Sequence, residues 1–593
     1  MITSPRRHGR PSIHMDAVFF QGVLHSPSLL RNQKGKIGIR QRRLGVNTGQ
    51  GQSMQAANGL WKSVSKVLPW LVVLSAGFVL RIWQLRDQLL ADDEWHALRK
   101  LTHSDFAGIF SSFGYSDHSI PLTLYYKALS LTTGLSEWSM HVPLLLAGLL
   151  SLLAVPWLLR ATLRSPEPLL LASLVALSPM LVYFSRTARP YALSALLAFA
   201  ALIAFYNWWN KPGHRWGLTY VATAALSAWL HPVTLALTLT PFVFFGVAAI
   251  RDVMSTRELH KLVRISLLGI AMLAVLSALL AVPIYHDYSL FLNKRGTHAV
   301  SLASLWVTLS LFTGSANTFV IVAWLVLAAA GFRELLKRQA MLAWYFVFAV
   351  ILSGIIVAAT SAIMLHHPLV LARYTLPGIF VLLALVALGL SQFLQALPGF
   401  LRLPVIVAAL LVYALTGPLP AQYNQPLNQF MGHMVYQADY DRERNRYARH
   451  FRQDESDVPA FYRDLAELPP DSVTLVVAPW YLEWHWNAWH LNQQVHRQRI
   501  LAGFISGLCV DKTYGEYPPG QPGIELTNIV HLTELAKQQT ATADYLVYEK
   551  NMPFQPPGRA RPDIDFSTCE QQIDELFGPP VIDDGKILVY TLR

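Results

Sequence analysis

The chain has 593 residues, 53% of them hydrophobic and only 14% charged, where ordinary soluble domains are about 25% charged. That composition excludes a soluble globular protein and points to a membrane. The net charge of +12 does not argue for nucleic acid, because residues 1–62 hold ten lysines and arginines against the single acid Asp16.

This basic segment reads as a low-complexity tail, kept on the cytoplasmic side by the positive-inside rule and able to touch anionic lipid. It reads equally well as a leader ahead of a start at Met54. The first apolar run is too long for a cleavable signal peptide and lacks a small-residue cleavage site. Runs long enough to cross a bilayer follow at 67–83, 142–159, 168–184 and 191–209. The stretch 217–250 suits two crossings broken at His231-Pro232, and further runs lie at 265–285, 316–332, 341–364, 375–394 and 404–419. Threading these eleven spans with the N-terminus inside puts 160–167, 210–216, 251–264, 333–339 and 399–403 in the cytoplasm. The basic residues Arg160, Arg164, Lys211, Arg215, Arg251, Arg257, Lys261, Arg264, Arg333, Lys337, Arg338 and Arg402 all fall there, as the rule requires.

The same threading puts 84–141, 185–190, 286–315 and 366–374 outside, with His231 at another outer turn. The predicted organisation is a basic tail (1–62), an α-helical polytopic membrane domain of about 11 spans (63–420) and an outer soluble α/β domain (421–593). In the last, strand-like runs at 473–477, 545–548 and 587–591 alternate with a helical stretch at 458–468. The aromatic cluster from Trp480 to Trp486, with Trp489, suits a domain core, sugar stacking or a membrane surface. Cys509 and Cys569 lack metal-ligand spacing, and an oxidising compartment would let them pair.

Chemistry concentrates in the outer segments. Asp92, Asp93 and Glu94 follow the first span closely, and carboxylates beside hydrocarbon require water, a cation or a substrate hydroxyl. Asp117 and His118 belong to the same loop, ahead of Tyr125 and Tyr126, so the two acidic clusters can meet over one cavity. One carboxylate can take a proton from an acceptor hydroxyl while another holds a cation or fixes the acceptor. Arg186 and Arg189, with Tyr191, join two spans at an outer end, against the positive-inside trend. Their rigid forks of donors match phosphate oxygens. Arg373 and Tyr374 stand at another outer mouth beside His366-His367, which is too short a set to define a metal site. His231 at its proline kink reads as structural.

The order and spacing of four segments resemble the GT-C glycosyltransferases, in particular the family 39 protein O-mannosyltransferases and their bacterial relatives. They are the Asp93-Glu94 pair after the first span, the run from Ile120 to Tyr126, the run from Val182 to Leu193, and Arg373-Tyr374-Thr375-Leu376-Pro377. Ile120 stands where that family often has a second proline, and Arg186-Thr187 where it often has glutamine or glutamate. The resemblance spans about residues 67–395. It implies inverting transfer of a sugar from a polyprenyl-phosphate donor to an envelope acceptor (protein, lipid or polysaccharide) at the periplasmic face of a bacterial inner membrane. It further implies Asp93 as general base, Glu94 as its neighbour, and Arg189 and Arg373 on the donor phosphate; Asp92, from the same acidic triplet, is a further catalytic candidate. No cofactor is certain, and a divalent metal is left open. A lipid-linked sugar transporter or an envelope scaffold is the alternative, although no internal repeat of the transporter kind is visible.

Overall fold

The computed structural model describes residues 67–83, scattered positions of 85–101 including Glu94, 104–114, 118–133 and 137–289 apart from 212. It also describes 300–360, 362, 365 and 368–419 apart from single positions, and, nearer the C-terminus, 458–470, 472–478, parts of 492–501, 543–550 and 567–592. The tail 1–62, Asp92, Asp93, Asp117, His366, His367, the aromatic cluster from Trp480 to Trp489 and Cys509 lie outside the described residues, as does the side chain of Cys569.

Each predicted apolar run falls on helix. The first is α1 (Val67–Ile82). The first outer loop carries α2 (Phe106–Ser111) and α3 (Ile120–Ser130), and the bundle continues with α4 (Glu137–Leu158), α5 (Glu167–Leu177), α6 (Pro179–Ser185), α7 (Tyr191–Asn210) and α8 (His214–Leu230). After a short 3₁₀ turn at Pro232–Thr234 come α9 (Thr240–Thr256), α10 (His260–His286), α11 (Leu302–Thr313), α12 (Thr318–Ala359), α13 (Pro368–Tyr374), α14 (Gly378–Gln395) and α15 (Gly399–Leu415). Among the described residues, six helices are long and apolar enough to cross a bilayer, or seven if the bent α5–α6 pair is one span. The chain is thus an α-helical membrane protein.

The structure adds detail that hydropathy did not carry. The expected spans 316–332 and 341–364 fall on two helices that meet within α12 at a kink at Gln339 (φ −151°, ψ 76°), in the predicted loop 333–339. The outer segments 286–315 and 366–374 are not plain turns; they contain α11 and α13. Both are too short to cross, and they pack against each other.

Small residues set the tightest helix crossing. A Cβ on Gly331 would lie 1.8 Å from the Leu385 carbonyl oxygen, and one on Gly389 would lie 1.9 Å from that of Leu327. Backbone therefore meets backbone between α12 and α14, the usual means of joining helices in lipid, where apolar burial gives no net drive. One end of that crossing holds a polar knot. Arg338 donates to both oxygens of buried Glu167 at 2.7 and 2.8 Å and to Glu334 at 2.9 Å, while Gln392 donates to Glu334. Arg338 also donates to the Thr162 carbonyl, and Arg264 to that of Trp208. Arg338, Glu334, Glu167, Thr162 and Arg264 belong to segments predicted to share the cytoplasmic side, and Gln392 and Trp208 lie near the ends of the spans that lead there. Segments predicted to share the outer side likewise meet one another, as described below.

The C-terminal region forms a five-stranded sheet of order β2-β1-β3-β5-β4, from β1 (Thr474–Ala478), β2 (Arg499–Leu501), β3 (Tyr545–Glu549), β4 (Ile582–Asp583) and β5 (Ile587–Thr591). β1 is parallel to both β2 and β3, with Val477 opposite Val547, whereas β5 runs antiparallel to β3. Leu475, Val476 and Val477 are all buried, as are Ile587, Leu588, Val589 and Tyr590. Continuous apolar strands of this kind are covered on both faces. The helix α16 (Ala460–Ala466) covers part of one face, with Phe461 edge-on to Tyr545 at 5.4 Å. In α17 (Ser567–Phe577), Asp574 accepts from the Tyr590 hydroxyl at 2.7 Å.

Candidate active site

A proline begins the construction. Pro179 has no N–H, so the carbonyl of Val175 loses its helical donor and the chain turns by 61° between α5 and α6. In hydrocarbon such a carbonyl must be satisfied from elsewhere. Arg81, fully buried near the end of α1, supplies the donors. Its guanidinium reaches the carbonyls of Val175 (3.0 Å), Ala176 (3.2 Å) and Gly77 (3.0 Å), and its Nε reaches the Ser185 hydroxyl at 3.3 Å. Gly148 makes room for this contact: a Cβ there would lie 2.0 Å from Ser185 Oγ and 3.2 Å from Arg81 Nε.

Arg186 returns the arrangement. It too is fully buried, and its Nη1 donates to the carbonyls of Arg81 (3.2 Å) and Trp83 (2.6 Å), capping the end of α1. The two arginines therefore clasp α1 to the start of the turn at 185–190. Sequence reasoning missed Arg81, because one arginine at the end of an apolar window looks like an interface anchor.

The turn is also tied to the acidic loop. Glu94, 3% exposed, accepts from the Ala188 amide at 2.5 Å and from His141 Nε2 at 3.0 Å, so one carboxylate oxygen joins the first outer loop, the start of α4 and the arginine turn. Tyr125 and Tyr126 donate to the carbonyls of Ser139 (3.2 Å) and Met140 (3.1 Å), holding α3 against the same helix start.

One residue beyond Ala188, Arg189 is 6% exposed, and its guanidinium lies 5.7 Å from the centre of the Tyr191 ring. Arg373, from α13, lies 5.4 Å from the same ring and 5.5 Å from that of Tyr374. Two cations far apart in sequence thus share one aromatic ring, a contact favoured by the ring quadrupole. His231 completes the group, 5.1 Å from Tyr191 and 5.3 Å from Tyr374. Burial first, then the charges of Arg189 and Arg373, push its pKa down to about 3, so its ring is neutral. The proline kink that made His231 look structural is also what delivers it to this cluster.

His118 joins from the first loop. Its Nε2 lies 2.8 Å from the Ser112 carbonyl and its Nδ1 3.0 Å from the Thr123 hydroxyl. A carbonyl only accepts, so Nε2 carries the proton and Nδ1 accepts from Thr123. Burial pushes the His118 pKa down to about 4, with the charges of Lys100 and Arg189 acting in the same direction and the bond to Ser112 opposing them. Among the described residues, no three His, Cys, Asp or Glu side chains gather as a metal-ligand set.

Of the residues picked from sequence, Glu94, His118, Arg189, Tyr191, Arg373 and Tyr374 come to this end of the bundle, and Arg186 turns to the carbonyls of α1. Asp92, Asp93 and Asp117 lie outside the described residues.

No family model matches the chain, and no curated protein matches it. Among solved structures it is similar to ArnT from Cupriavidus metallidurans in the apo state, at 13% identity over 91% of this chain and 98% of that one, with a TM-score of 0.44. It is similar to the same protein bound to undecaprenyl phosphate, at 14% identity over 89% and 98%, with a TM-score of 0.42. It is also similar to the oligosaccharyltransferase of Archaeoglobus fulgidus in the apo form, at 13% identity over 82% of this chain and 70% of that one, with a TM-score of 0.39.

Proposed function

We propose that this chain is an inverting glycosyltransferase of the GT-C type, moving a sugar from a polyprenyl-phosphate donor to an envelope acceptor at the outer face of the membrane. In this reading Asp93 takes the proton from the acceptor hydroxyl. The freed oxygen attacks the anomeric carbon from the side opposite the phosphate, the carbon–oxygen bond to phosphate breaks, and polyprenyl phosphate leaves with the bond's electron pair. Arg189 and Arg373 receive the negative charge that develops on it. Tyr191 and Tyr374 hold the two guanidiniums, Glu94 and Asp92 serve beside Asp93, and Asp117 and His118 are assigned to substrate binding. Arg186 is assigned a supporting part, since its Nη1 is bonded to the carbonyls of Arg81 and Trp83.

One observation carries the reading: Glu94 accepts from the amide of Ala188, so the residue after Asp93 is bonded to the residue before Arg189. The acidic loop and the arginine turn, on separate segments, are thereby joined at Glu94 and Ala188. Arg189 and Arg373 against one ring add an anion-favouring place, because two like charges held together are relieved by a negative group between them. The cation pair would serve a transporter as well, but a transporter has no need of a base beside it.

The test is transfer of labelled mannose from undecaprenyl-phosphate mannose to an envelope fraction by the full chain in lipid nanodiscs, repeated with other sugars on the same lipid. Wild type is expected to form glycoside, and Asp93→Asn to lose about a hundredfold or more of the rate, the usual weight of a general base. Equal rates would remove Asp93 as base. Movement of the lipid-linked sugar across the bilayer without glycoside would favour transport.

A further inference from the structure

We infer that Asp287 is a positioning residue for this reaction, a latch that fixes the first outer loop to the end of α10; the inference rests on the glycosyl-transfer reading. Asp287 caps α10 and is 5% exposed. A buried carboxylate is costly unless several donors surround it, and here they come from one short turn of the loop. The Ser112 hydroxyl lies 3.1 and 3.2 Å from its two oxygens, the Phe113 amide donates to it, and the Gly114 amide donates at 3.2 Å. His286, the preceding residue, places Nδ1 2.9 Å from the Ser111 carbonyl. Four successive loop residues are therefore bonded to the end of one helix.

The turn is shaped for this. Gly114 has φ +64°, a left-handed conformation that costs glycine nothing, and it curls successive amides round the carboxylate as in an anion nest. Lys100 lies within electrostatic reach of Asp287: burial lowers the Lys100 pKa, and the Asp287 charge opposes that.

From the turn the bonding runs on toward the candidate site. The Ser112 carbonyl accepts from His118, and His118 accepts from Thr123 in α3. His118 itself lies in the field of Arg189. Glu94 thus fixes the beginning of the loop 84–141 to the arginine turn, and Asp287 fixes its middle to α10. Asp287 touches neither Arg189 nor Arg373 in this bonding, so it acts through the loop and not on the donor.

Positioning predicts a particular kinetic pattern. Loosening the loop lowers kcat, because the acid loses its placement, and leaves the donor KM nearly unmoved, because the arginines are untouched. The experiment uses the full chain in nanodiscs as wild type, Asp287→Ala, Asp287→Asn and Ser112→Ala. It reads hydrogen exchange at Phe113 and Gly114, binding of undecaprenyl phosphate, and kcat and donor KM with undecaprenyl phosphate carrying mannose or another sugar that wild type transfers. Asp287→Ala is expected to speed exchange at both amides and to lower kcat about ten- to a hundredfold, with donor KM changed less than about threefold. Asp287→Asn keeps one acceptor oxygen and falls between; Ser112→Ala keeps both amide bonds and loses less than about fivefold. Should Asp287→Ala lose undecaprenyl phosphate binding through misfolding, the Asn variant decides. Unchanged exchange, or faster exchange with unchanged kcat, overturns the latch. If wild type transfers no sugar, the transfer reading fails, and with it a positioning role in that reaction, while the exchange data still decide whether the loop is held by Asp287.

Discussion

Arginine occurs in this molecule in two kinds of place, and the difference predicts what each substitution does. Arg186 gives its Nη1 to the carbonyls that end α1, whereas Arg189 and Arg373 lie against the rings of Tyr191 and Tyr374. Arg186→Lys should therefore lower the melting temperature, through about 1–3 kcal/mol of lost donors to buried carbonyls, and leave the donor KM alone among molecules that fold. Arg189→Lys and Arg373→Lys should leave the melting temperature nearly unchanged and lower kcat/KM about ten- to a hundredfold, since lysine cannot give two parallel bonds to phosphate. Thermal denaturation beside steady-state transfer separates the two patterns. Residue type alone could not sort the three arginines, because a guanidinium fits a phosphate and a bare carbonyl equally well; the family resemblance put Arg189 and Arg373, and not Arg186, on the donor phosphate. The same scale fixes a pH effect. His231 and His118 ionise in the folded chain only near 3 and 4, against an ordinary value of 6.5. Below about 6.5 the unfolded chain binds protons that the folded chain refuses, so stability is full above that pH and falls as the pH drops toward 4 and 3. Melting temperatures from pH 8 to pH 4 should decline, and His231→Phe should flatten the decline.

At the scale of elements, the helices were legible because hydropathy over a span is a strong signal, but their breaks and contacts were not. Pro179 was visible in the sequence; that it frees the Val175 carbonyl for Arg81 was not, since the partner lies 94 residues away. The short apolar helix α11 was hidden because it is too short to register as a crossing. Glycines carry similar hidden information. Gly148 sits where α4 passes the Arg81–Ser185 contact, and Gly331 and Gly389 where α12 meets the backbone of α14. A methyl at Gly148 would meet a hydroxyl held against its own helix by the Leu181 carbonyl. Gly148→Ala should cost about 1–3 kcal/mol, the usual range for overpacking. Gly331→Leu should cost more, because the obstacle is backbone that cannot rotate away. Unfolding followed by circular dichroism in detergent tests the order: Gly331→Leu less stable than Gly148→Ala, and Gly148→Ala less stable than wild type.

On the scale of the whole molecule, the contacts sort the polar segments into two groups that agree with the alternation read from the charges. Segments assigned to the cytoplasm meet at Arg338, Glu167, Thr162 and Gln339, and segments assigned outside meet at Asp287, Ser112, Glu94 and Ala188. By the positive-inside rule the first group is expected in the cytoplasm and the second outside. This yields a prediction that depends on neither activity nor ligand. Tyr288, just past α10, is 61% exposed, and the side chain of Lys337, within α12, is equally so. In a chain carrying Cys509→Ser and Cys569→Ser, Tyr288→Cys should react with a membrane-impermeant maleimide on intact spheroplasts. Lys337→Cys should react only after the membrane is opened. The reverse pattern would invert the molecule and put the arginine cluster on the cytoplasmic face; labelling of both in intact cells would break the parity on which the outward-facing site depends.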